Sequence, residues 1–87
     1  MAKYIISYDL RKPDFDYQPL YDALDEIGAT HLQDSVWGVD SKDKAKVVYE
    51  YLWQHMHGKQ DRLFVVAFDR TNYHSINAID GNKLASI

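Results

Sequence analysis

The chain has 87 residues, a formal charge of −3, 46% apolar residues and no cysteine. That length predicts one domain, because a single core commonly needs around 100 residues and two half-length cores would each bury too little surface. The acidic balance excludes a protein that coats phosphate backbones by bulk charge, so any nucleic-acid role needs a local basic patch, and the missing cysteines exclude disulfide frameworks and thiolate metal sites.

Residues 3–10, "KYIISYDL", predict a nearly fully buried strand, with Tyr4, Ile6, Tyr8 and Leu10 on one face and Ile5, Ser7 and Asp9 on the other. "RKPDFD" breaks it at Pro13. Asp16 is then placed to cap a helix whose Pro19 falls in the first turn, where a missing N–H costs little. Tyr17, Leu20, Leu24 and Ile27 form its apolar stripe, and Gly28 can close it in the left-handed conformation.

"ATHLQDSVWGVDS" resumes extended character, but Gln33, Asp34 and Ser35 fit badly inside a core-facing strand, which predicts two short strands around a bend or bulge. Ser41 is placed to cap a second helix carrying Ala45, Val48, Tyr49, Leu52 and Met56 at three- and four-residue steps before Gly58. "RLFVVAFD", residues 62–69, reads as the strongest strand. From Arg70 the chain turns polar and irregular, with Asn72, Asn77, Gly81 and Asn82 as turn formers and Ile76, Ile79, Leu84 and Ile87 as scattered anchors. That tail, residues 70–87, is expected to pack on the domain or on a partner subunit.

Strand, helix, strand, strand, helix, strand is the split βαβ order of a ferredoxin-like α+β fold, an antiparallel sheet with both helices on one face, here followed by the C-terminal tail. Ile5, Phe64 or Val65, and Trp37 supply apolar side chains to both faces, so a second protomer is the simplest cover for the other one, giving a homodimer. No opening apolar h-region is visible, and no run approaches the roughly 20 residues of a membrane span, so the expectation is a soluble, cytoplasmic chain without a membrane partner.

Asp9, at the end of the first predicted strand and just before Arg11 and Lys12, is the residue with chemical potential. It can cap the following loop and pair with Arg11 or Lys12. It can also face its own copy across a dimer axis, where two carboxylates favour a hard divalent ion such as Mg²⁺, which could activate water for phosphodiester cleavage. By position, Arg11 and Lys12 are phosphate-contact candidates. Lys42, Lys44 and Lys46 are interrupted by Asp43 and read as a solvated helix face. His55 and His57, two apart on a predicted helix, face different directions and make a poor metal pair. In the aromatic run, Tyr49 and Trp53 read as core and Tyr51 as exposed or interfacial. No Gly-rich phosphate loop, nucleophile elbow or paired-histidine zinc motif is present.

"KYIISYDL" resembles the opening strand of the small CRISPR-associated nucleases of the Cas-two family, and "QDSVW", residues 33–37, is similar to their Gln-x-Ser-Val-aromatic strand. The likeness is closer to their SinR-like and VapD-like relatives, which share "SYDL" followed by Lys-Pro and an Asp-Ser-x-Trp segment. It spans residues 1–69 in element order and spacing. The resemblance implies a ferredoxin-like homodimer whose Tyr-Asp strand ends meet at the interface, with Asp9 as catalytic acid and Mg²⁺ ligand for RNA or DNA cleavage, Tyr8 beside it, and Ser35 and Trp37 lining the adjacent substrate surface. A non-catalytic dimeric binding module, an adaptor or inhibitor with a protein partner in prokaryotic or phage defence, is the other expectation.

Overall fold

The computed structural model describes residues 2–68, which form β1 (Ala2–Asp9), α1 (Gln18–Glu26), β2 (Thr30–Gln33), β3 (Val36–Ser41), α2 (Ala45–Trp53) and β4 (Arg62–Ala67). The expected tail, residues 70–87, lies outside the described residues. The four strands make one sheet in the order β2-β3-β1-β4, and every pair is antiparallel. The result is a small α+β domain of four antiparallel strands and two helices, compatible with a ferredoxin-like arrangement.

Alternation along β1 decides the two faces. Tyr4, Ile6 and Tyr8 are buried, and register places Ile6 opposite Trp37 and Val65, Tyr4 opposite Val39, and Tyr8 opposite Leu63. Leu20, Ala23 and Leu24 from α1 and Val48 and Leu52 from α2 join Tyr4, Ile6, Tyr8 and Val39 in one core, so both helices cover this face. The opposite face carries Ile5, Val36, Phe64 and Val66 by the same register. Trp37 and Val65 therefore belong to the helix side, and the apolar residues of the open face are Ile5, Val36, Phe64 and Val66, the last two 62% and 41% exposed.

The helix ends show what local sequence controls. Gly28 adopts φ +77° and its N–H donates to the Asp25 carbonyl, while the Ala29 N–H reaches back to Leu24, the paired bonds of a Schellman closure. Asp16 Oδ1 accepts the Gln18 N–H at 3.0 Å, holding the turn into α1 one residue ahead of Tyr17. Ser41 does not cap α2 as expected: it ends β3, and its Oγ accepts the Asp43 N–H in a tight turn, leaving extended Lys44 to precede the helix without a side-chain cap. The buried Tyr4 hydroxyl anchors that turn by donating to the Asp43 carbonyl at 2.7 Å. At the other end α2 stops at Trp53, short of the expected run to Met56, although i+3 bonds from His55 and Met56 continue the coil and Met56 stays buried.

Two roles in α2 are exchanged relative to expectation. Tyr49 is exposed and stacks on Trp53 with ring centroids 5.9 Å apart, whereas Tyr51 packs on the core and donates to Glu26 Oε2 at 2.9 Å. Tyr49 lies one residue past buried Val48 and is carried off the apolar stripe by the 100° step of the helix. Lys46 pairs with Glu50 along the solvated side, as a charged helix face does.

Candidate functional site

The candidate site gathers at the end of the sheet where β1 runs out. Asp9 is the last residue of β1, directly opposite Arg62 of β4, and its side chain is half exposed. The open-face residues of β1 alternate through Ser7 to Asp9, so this acid stands at the tip of the apolar face bearing Phe64 and Val66. Its Oδ2 accepts a hydrogen bond from Arg11 Nη1 at 3.0 Å, one of the two pairings expected from sequence. Lys12 takes the other direction and pairs with Asp14 at 3.2 Å, which draws it away from the strand end.

The bend at Asp34 and Ser35 closes the site from the other side. Ser35 sits at φ +61°, a left-handed conformation unusual for a residue with a side chain, and its carbonyl accepts the Tyr8 N–H at 3.0 Å. A register irregularity between His31 and Gln33 marks the same corner as a bulge. Ser35 is thereby held against the last turn of β1 by backbone geometry.

Four residues read from the sequence meet here. Tyr8, Asp9, Ser35 and Trp37 share the wall of an open cleft of about 520 Å³ with Leu10, Tyr21, Asp25, His31 and Asp34. The ring of Tyr8 belongs to the core, and its hydroxyl accepts the Trp37 indole N–H at 2.9 Å. Burial raises the Tyr8 phenol above its ordinary value, against the opposing Trp37 bond, so it keeps its proton at neutral pH. Trp37 in turn stacks on His31 at 4.5 Å. Asp25 and Asp34 are additional acids that no local pattern marked, because α1 and the β2–β3 turn are joined to Asp9 only by the fold.

A second hollow, of about 450 Å³, opens on the far side of Arg11 and is lined by Arg11, Lys59, Gln60, Asp61 and Arg62. Asp61 is buried and anchors this corner: Oδ1 accepts the Arg11 N–H at 2.8 Å and the Tyr17 hydroxyl at 2.6 Å, and Oδ2 accepts the His57 N–H at 2.7 Å. Burial pushes its carboxyl up, but the bonds from Tyr17, Arg11 and His57 together outweigh that and hold it below the ordinary range. Tyr17 responds in the opposite sense, pushed up to about 12 by burial and by donating to Asp61. Lys59 and Arg62 were not singled out from sequence. Pairing the end of "KYIISYDL" against the start of "RLFVVAFD" would have set Arg62 beside Asp9.

Among the described residues no three histidine or acidic side chains come together to hold a metal ion, and no helix is long and apolar enough to cross a membrane. No protein-family model matches the chain, and no solved structure matches it.

Proposed function

We propose that the chain is a Cas-two-like or VapD-like metal-dependent endonuclease that acts on RNA or DNA as a homodimer, with a ferredoxin-like fold. The observation that carries this reading is the placement of Asp9 at the tip of an open apolar sheet face, opposite Arg62 and bonded to Arg11. A second copy seated on Phe64 and Val66 would cover the exposed apolar surface and bring two Asp9 side chains toward one axis. Mg²⁺ is commonly held by one or two carboxylates and keeps several waters, so one Asp9 from each copy would fit its donor demand. Bound there, the ion would lower the pKa of a coordinated water and polarise a phosphoryl oxygen. Arg11 would position a phosphate, while the cleft wall of Ser35 and Trp37 would take the adjoining nucleotide. Tyr8 retains its proton and serves as a wall and hydrogen-bonding group, not as a base.

Asp9→Asn should abolish divalent-dependent cleavage of RNA or DNA and leave the dimer intact by light scattering. Cleavage that persists in Asp9→Asn rejects Asp9 as the catalytic ligand.

The Asp9–Arg11 pair favours a second reading, a non-catalytic dimeric module that acts as adaptor or inhibitor in a prokaryotic or phage defence system. In that case Asp9 is an ordinary exposed ion pair, whose energetic value is small. Purified dimer that cleaves no RNA or DNA with Mg²⁺ or Mn²⁺, yet retains a protein partner, would decide for it.

A further inference from the structure

We propose that the hollow formed by Arg11, Lys59 and Arg62 is a phosphate-binding site that receives the backbone of a single-stranded nucleic acid beside Asp9. This deepens the nuclease reading by assigning residues to the substrate strand, and it can be tested without any cleavage. Three cationic side chains from three separate segments converge on one hollow: the loop after β1, the turn before β4 and the first residue of β4. Among the described residues neither Lys59 nor Arg62 has a carboxylate partner within ion-pair distance, and Arg11 spends one nitrogen on Asp9, keeping the rest of its donor fork for a further acceptor.

The acid in the hollow does not undo this. Asp61 is buried, and its oxygens already accept three hydrogen bonds, two of them backbone N–H groups. Its effect is to fix the Arg11 backbone and the 57–61 turn, so the cations are presented on an anchored corner. Gln60 adds an amide that can donate to a phosphate oxygen.

Charge selects the class of ligand. The chain as a whole is acidic, and the opposite wall of Asp9 is the cleft bearing Asp25 and Asp34. A long duplex laid across both would meet like charge, whereas a single strand can place one or two phosphates in the basic hollow and turn its bases away. The site is therefore a short electrostatic footing, and its salt dependence should be shallow: with two phosphate contacts, affinity for a single strand should fall about sevenfold between roughly 50 and 200 mM salt.

The experiment is fluorescence anisotropy of the full chain with a labelled 12-nucleotide RNA and the matching single-stranded DNA, in EDTA so that no cleavage occurs, with inorganic phosphate as competitor. Wild type should bind with that shallow salt slope, and Lys59→Ala combined with Arg62→Ala should weaken binding about tenfold or more at low salt and nearly flatten the slope. Arg62→Lys should retain most of the slope, separating charge from folding, and Lys42→Ala, on the loop before α2, should leave binding unchanged. Asp9→Asn should bind at least as well as wild type, because Arg11 loses its carboxylate partner and a negative charge beside the phosphate is removed. In a separate Mg²⁺ cleavage assay, wild type that cleaves and Asp9→Asn that binds without cleaving leave site and nuclease reading both standing; strands that bind at the hollow while wild type never cleaves leave the hollow standing and overturn the nuclease reading. No strand binding at low salt, competition showing a site for free phosphate alone, or unchanged binding in the double variant overturns the proposal.

Discussion

The two faces of the sheet are built from the same strands and differ in what covers them. On the helix side Ile6, Leu20, Leu24 and Leu52 have no exposed surface, while on the other side Phe64 keeps 62% of its surface in solvent. Yet "RLFVVAFD" looks equally apolar on both sides. A strand of this kind is normally expected where both faces are covered; here it lies at the sheet edge, paired only with β1 among the described residues. The difference teaches that apolar content alone locates a strand but not its cover. Among the described residues one face is covered by the two helices, and the other leaves Phe64 and Val66 exposed.

The largest effect should come from the covered face. Leu24→Ala removes a fully buried side chain from the junction of α1 and the sheet, and should lower the unfolding free energy by about 3 kcal/mol in urea titration. If Phe64→Ala, measured at concentrations where the protein is monomeric, cost as much, the contrast between the faces would be wrong.

Next in size is the polar clasp that closes the covered side at its loop end. Asp61→Ala strands the Arg11 and His57 N–H groups and the Tyr17 hydroxyl, and should cost about 2 kcal/mol. The same residues set the pH limits. Because the folded Asp61 carboxyl lies below its ordinary value, its contribution is present above that value and is lost as pH falls through the folded one, so stability should drop in acid below about pH 4. Tyr17 has a folded value raised to about 12, so its contribution is present below the ordinary value of 10.0 and fades between there and about 12. Thermal melts should therefore show a plateau through neutral pH, and Tyr17→Phe should flatten its alkaline edge while Asp61→Asn flattens its acid edge.

The smallest effect on the folded chain should be Phe64→Asp. On a monomer it should change stability by less than about 1 kcal/mol, since the side chain is mostly solvated. If the open face is the dimer seam, light scattering should nevertheless show a shift from dimer to monomer.

Much of the fold was legible because its determinants are local. The period-two run of β1, the left-handed Gly28 and the poor strand character of Asp34 and Ser35 each act within a few residues of where they stand. Ser41 misled because a serine ahead of a helix can turn the chain instead of capping it, and three residues separate it from α2. The site was legible in Tyr8, Asp9, Arg11, Ser35 and Trp37, near the end of β1 and the start of β3. Asp61 bonds Arg11 across a separation of 50 residues and Tyr17 across 44, and Arg62 meets Asp9 only through strand register. Such long-range partners leave no mark in nearby residues.

The central place of β1 has a kinetic consequence. Among the described residues it precedes every other strand in the chain, but its partner β4 is the last of the six described elements, and Phe68 closes that ladder by donating back to Lys3. Until then half of the sheet's middle strand presents an open edge, and the nascent chain carries the non-local contacts that slow folding and invite association. Any agent that shields β1 during synthesis should raise the yield of this protein more than one that stabilises the finished fold.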